Sequence, residues 1–112
     1  MTSLRERIRA HARPDQVRRI EVPEWGEDGK PLVVTYRMMT LDDMALVNEL
    51  EGASWHKQAA RIVVLKACDE QGNRLFAMAD APELRETAAP DVVTRIALAI
   101  LGRMTVEEAE KN

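Results

Sequence analysis

Apolar and polar positions change their spacing along the chain, and each change marks an element boundary. After Met1, the first fifteen residues carry only Leu4 and Ile8 as large apolar side chains. Ser3-Leu4-Arg5-Glu6 has the form of a capping box, in which a hydroxyl and a carboxylate satisfy the free amides of a helix start. A short helix is therefore expected to about Arg13, where Pro14 stops it. Val17 to Val22 reads as a strand, and Pro23 to Pro31 as a connection with Asp28-Gly29 as its turn pair. From Leu32 to Met38 the spacing is two. Leu32, Val34, Tyr36 and Met38 fall on one side, Val33, Thr35 and Arg37 on the other. A lone two-stranded hairpin is marginal in water, so its apolar side has to rest on helices or on another chain.

After Met39 the spacing becomes helical. Thr40-Leu41-Asp42-Asp43 is a second capping box with an acidic first turn, opening a helix to about Glu51 that Gly52 ends. Leu46, Val47 and Leu50 form its apolar stripe. Ser54 is placed to cap a helix from Trp55 to Cys68, with Trp55, Ala59, Ile62 and Val63 on one side. The β-branched run Ile62-Val63-Val64 would also suit a strand. Asp69 to Asn73 is a turn by composition, followed by the short apolar segment Leu75 to Met78. Asp80 is the expected cap of a short helix that tolerates Pro82 in its first turn. Pro90-Asp91 opens a last helix to about Met104, and Thr105-Val106-Glu107-Glu108 is a third capping box that begins an acidic stub. The sum is one α+β domain, mostly helical, with one N-terminal β-hairpin packed on three or four helices. Its parts are a basic arm or short helix over 1–15, a domain over 16–104, and an acidic stub over 105–112.

A chain of 112 residues has room for one such domain. Aromatic residues make up only 4% of it, so the core is expected to be aliphatic. Six arginines against two acids give residues 1–20 a net +4, leaving −7 on the remainder of a chain whose total is −3. The basic arm can touch an acidic partner or nucleic acid. The acidic body disfavours nucleic-acid binding by the whole domain. A single cysteine and no apolar leader point to a reducing, cytoplasmic setting, and no apolar run is long enough for a membrane span.

Reactive side chains are poorly represented. His11 and His56 stand apart from any metal-ligand spacing, Cys68 has acidic neighbours and no histidine beside it, and the five glycines are scattered singly. Asp42 and Asp43 are adjacent, so on a helix they point about 100° apart and cannot grip one substrate. No catalytic, metal or cofactor residue is assigned, and the chain reads as a non-enzyme. Features suited to binding are Trp25 in its Gly/Pro-flanked connection, and Met38, Met39 and Met44 around the joint between hairpin and helix. Each could equally fill the core. In the last helix Val93, Ile96, Ala97, Ile100 and Met104 form a stripe, with Leu98 well off it and Leu101 at its edge. A helix so apolar is either central or pressed against a partner.

The order of these pieces is itself informative. A hairpin with Glu21-Val22-Pro23-Glu24-Trp25-Gly26 leads through Tyr36-Arg37-Met38-Met39-Thr40 into an acidic helix. Ala60 to Lys66, Asp69-Glu70-Gln71-Gly72-Asn73-Arg74-Leu75-Phe76, Asp80 with Leu84, and Val92 to Ala97 follow. Over residues 16–104 this arrangement resembles the tail assembly chaperones of long-tailed bacteriophages and their prophage relatives. The resemblance implies a chaperone that coats tape measure protein, helps recruit tail tube subunits, and is absent from the finished virion. It also implies a longer product made by ribosomal frameshifting. A client that needs many copies suggests weak homo-oligomers, with the Leu98/Leu101 side or the hairpin edge as contacts. Two other readings stay open: a virion structural protein such as a head–tail connector or tail component, and a small nucleic-acid-associated regulator.

Overall fold

The computed structural model describes residues 2–102; the acidic stub from Thr105 and the Met104 position of the last stripe lie outside them. Five α-helices, a short 3-10 turn and a two-stranded antiparallel sheet are present among the described residues. The fold is the α+β one expected, with the hairpin packed on helices. The helices are α1 (Leu4–Ala12), α2 (Leu41–Glu51), α3 (Trp55–Lys66), α4 (Ala81–Thr87) and α5 (Pro90–Ile100), and the strands are β1 (Arg18–Glu27) and β2 (Lys30–Tyr36).

Of the three predicted capping boxes, that at Thr105 lies outside the described residues, and the other two leave their signature. Ser3 Oγ accepts from the Glu6 amide at 3.2 Å. Thr40 Oγ1 accepts from the Asp43 amide at 3.1 Å, while the Thr40 amide donates to Asp43 Oδ2 at 3.0 Å. Two other expected caps are not made. Ser54 sits before α3, but its hydroxyl hydrogen-bonds His56 Nδ1 at 2.9 Å. Asp80 precedes α4, yet its carboxylate turns back to accept from the Ala77 amide at 2.7 Å across the 3-10 turn Met78–Asp80.

The hairpin differs from expectation at both ends. Val17 is exposed and outside the strand, and β1 runs on through Pro23 and Trp25 to Glu27. Pairing proceeds from Arg18 opposite Tyr36 to Val22 opposite Leu32, breaks, and resumes at Glu27 opposite Lys30. Residues 23–26 face Pro31 alone, so β1 bulges. Gly26 is required there, because a Cβ would run into the Lys30 carbonyl and the Pro31 Cα. The turn Asp28-Gly29 has φ of 54° and 74°, as a two-residue hairpin loop demands. Strand β2 stops at Tyr36, leaving Met38 beyond it. Ile20, Val22, Val34 and Tyr36 are buried and form the side that meets the helices.

Helix α3 ends at Lys66, two residues early, because Ala67 is extended (φ −71°, ψ 127°). Cys68 thereby leaves the helix and bridges β2 through Thr35 N–H to Cys68 O at 2.8 Å and Cys68 N–H to Thr35 O at 2.9 Å. The run Ile62-Val63-Val64 is helical. All three are buried, since α3 is flanked by α2, α4 and α5.

Helix α5 occupies the centre. Val92, Val93, Ile96, Ala97, Ala99 and Ile100 are buried, as is Arg95. The helix ends at Ile100, earlier than expected, with Gly102 at a φ of 74°. The Arg95 side chain is 5% exposed, and its guanidinium donates to both Glu24 oxygens, at 2.9 and 2.5 Å, fastening the β1 bulge to α5.

Candidate functional site

Polar contacts tie α2 to α3 and its neighbours. Lys66 Nζ donates to Asp43 Oδ2 at 3.0 Å. Arg61 donates through Nε and Nη2 to Glu51 Oε1 at 3.0 and 2.8 Å, and Arg85 Nη1 lies 3.6 Å from Glu51 Oε2. Burial alone would raise the Asp43 carboxyl, but the Thr40 amide and the Lys66 ammonium outweigh it and hold the group below its ordinary value. Asp43, Val47 and Glu51 therefore share the inward side, spaced by four. This corrects the expected stripe: of Leu46, Val47 and Leu50 only Val47 is buried, and the two leucines face solvent.

The displaced apolar side chains create a surface. Met39, Met44, Val47, Trp55, Ile62 and Leu101 line a groove of about 270 Å³ between α2, α3 and the residues just past α5. Trp55 is 39% exposed at its rim and Met44 about half exposed. Leu41, one turn before Met44 on α2, is almost fully exposed. Scattered apolar residues are normal on a protein surface, but a contiguous set around a concavity is the form taken by contact sites.

Three of the residues singled out in the sequence meet in this groove: Met39, which is itself buried, Met44 and Leu101. The other three do not. Trp25 packs edge-on against Phe76, ring centroids 6.1 Å apart at 73°, and closes the far side of the hairpin. Met38 and Leu98 are half-buried and line no part of the groove. Trp55 also lines the groove and was not among the candidates, because its spacing to Ala59 and Ile62 is that of a core side chain. Its place at the first residue of α3, just past Gly52, carries it beyond the packing.

A depression of about 490 Å³ beside β2 is lined by Thr35, Tyr36, Arg37, Lys66 and Cys68 among others, and neither histidine is part of it. Burial pushes the Tyr36 phenol above its ordinary value, so it stays protonated at neutral pH. His11 and His56 are exposed elsewhere. Among the described residues no three His, Cys, Asp or Glu side chains are grouped to hold a metal, and no helix is long and apolar enough to cross a membrane.

Neither family models nor curated proteins match the sequence. A solved structure does match. In fold, the chain is similar to the tail assembly chaperone of bacteriophage HK97. The likeness to the HK97 chaperone takes in 89% of this chain and 97% of that one, with a TM-score of 0.60. Identity is 19%, a level at which the shared property is the fold. Over nearly its full length the chain thus shares its overall architecture with the HK97 chaperone, as the order of elements in the sequence suggested.

Proposed function

We propose that this chain is a tail assembly chaperone of a long-tailed phage or prophage. It acts by binding, without catalysis, in the cytoplasm of the bacterial host. Its client is the tape measure protein, whose long apolar helices it keeps soluble while tail tube subunits are recruited. The observation that carries the reading is the likeness in fold to the HK97 chaperone over nearly the full length of both chains. The groove adds a physical means: Trp55 and Met44 offer an apolar edge, and methionine side chains adapt to varied helical clients. The −7 carried outside residues 1–20 keeps a body with such a surface dispersed.

Co-expression with the tape measure protein from the same genome tests the reading. The client is expected in the soluble fraction only with the chaperone present, and the chaperone is expected to be missing from purified particles. A client equally insoluble with and without it, or stoichiometric chaperone in the particles, would overturn the proposal.

A further inference from the structure

A second concavity opens on α3, roughly 120° round the helix from the groove of Trp55. It measures about 290 Å³ and lies where α3, α4 and α5 meet. Its floor is Ala59, Ala60, Leu84 and Val93, all buried. The space exists because the sequence places alanines at 59, 60 and 88, where longer side chains would fill it.

One wall is cationic. The Arg85 guanidinium lines it, and the acid that Arg85 approaches, Glu51, is 3.6 Å away, outside hydrogen-bond range. The other Glu51 oxygen already accepts two hydrogen bonds from Arg61. Two guanidinium groups thus share one carboxylate, and one positive charge is left over. His56 also lines the cavity, and its Nδ1 is 2.9 Å from the Ser54 hydroxyl, which leaves Nε2 for a ligand. Helix α5 begins at the same wall, with Pro90 in the lining and no side chain capping its first turn, so its positive end adds to the charge. No carboxylate lines the cavity. Asp91, the acid of that first turn, is about 100° round α5 from Pro90, on the side of Arg95.

From this match of shape and charge we infer that the cavity captures the free C-terminus of a partner protein whose last residue is large and apolar. A cavity of roughly 150 Å³ holds a benzene ring. One of about 290 Å³ takes a single leucine- or phenylalanine-sized side chain with its carboxylate, and no longer segment. Arg85 and His56 stand in the lining itself, so the carboxylate and the apolar group have to belong to one residue. Within a protein only the last residue of a chain offers both, through its main-chain carboxylate. The fork of an arginine grips such a group at two points. The site is separate from the groove, so it neither requires the client nor competes with it.

Amide chemical shifts of the full, isotope-labelled chain, titrated with acetyl-dialanyl-phenylalanine, test this. Shifts at Ala59, Ala60, Leu84 and Val93 are expected, with a dissociation constant on the order of 1 mM for so small a probe. The carboxamide of the same peptide should bind at least about tenfold more weakly, having lost the charge-assisted bonds. Acetyl-phenylalanyl-dialanine has the same composition and charge but separates ring from carboxylate, and it should be as weak as the carboxamide. These peptides decide the matter on the wild-type chain alone. Arg85→Gln should bring acid and amide to within about twofold of each other, and Arg85→Lys should restore part of the difference. Ala88→Leu should close the cavity to every probe, with thermal melts establishing that the variants fold. No shift at the floor residues up to about 20 mM peptide, equal binding of acid and amide, or a preference that survives in folded Arg85→Gln would overturn the inference. Binding of free acetyl-phenylalanine without binding of the tripeptide would overturn it too, since the site would then serve a small acid.

Discussion

The Glu24–Arg95 pair is asymmetric, and cutting it from its two ends should have unequal effects. Arg95 is 5% exposed and its Nε has no hydrogen-bond partner, whereas Glu24 is 42% exposed. In Glu24→Gln the cation stays inside and loses a charge-assisted two-point contact, which is worth about 1.5–3 kcal/mol per bond to a charged group. Water can reach the exposed amide and recover part of that, so a net loss of about 2 kcal/mol is expected. Arg95→Met removes the buried charge and its unpartnered Nε together, fills a similar volume, and frees Glu24 to be hydrated. Replacing a buried ion by a fitted apolar side chain is often close to neutral, so the loss should stay below about 1 kcal/mol. Urea unfolding, with m unchanged between variants, reads both values. The double variant should match Arg95→Met alone. If Arg95→Met proves the more damaging of the two, the guanidinium is stabilising in its own right and the reasoning fails.

Other outcomes follow from the same geometry. Gly26→Ala places a methyl against the Lys30 carbonyl and should cost about 1–3 kcal/mol, seen as a lowered melting temperature. Ile96→Ala empties a fully buried site at the centre of α5 and should cost about 2–5 kcal/mol in the same measurement. The Arg95 hydrogen bond holds Glu24 below its ordinary value, as the contacts already described hold Asp43. Their unfolded forms thus take up protons first. With ordinary values of 4.5 for Glu24 and 3.8 for Asp43, the stability they contribute is complete above roughly pH 5.5 and is lost as the pH falls through the lower folded values, which urea midpoints across pH 2–7 would show as a decline on the acid side.

Much of the architecture was legible because it rests on local chemistry. The capping oxygens of Ser3 and Thr40, the Asp28-Gly29 turn and the stop at Gly52 act through their nearest neighbours, and each formed as expected. What was not legible depends on distant residues. The extension of β1 past Pro23 is held by Arg95, seventy-one positions away. The rotation of α2 that turns Leu46 and Leu50 outward is set by Lys66, Arg61 and Arg85, and an apolar count along α2 gives no hint of it. The candidate contact residues divided along the same line. Met39 and Met44 adjoin in sequence the joint they occupy and line the groove there, whereas Met38, named for the same reason, does not. The exposure of Trp55 depends on where α2 comes to rest.

Binding of helical segments from the tape measure protein to groove variants tests the central claim most directly. About 39% of a tryptophan surface of roughly 250 Å² is about 100 Å², or about 2.5 kcal/mol when covered by a client. Trp55→Ser should therefore weaken the dissociation constant by up to about 60-fold, while Leu50→Ser, on the other side of α2, should leave it within about twofold. Unchanged affinity in a folded Trp55→Ser variant, or a large loss in Leu50→Ser, would contradict the assignment of the groove as the client site.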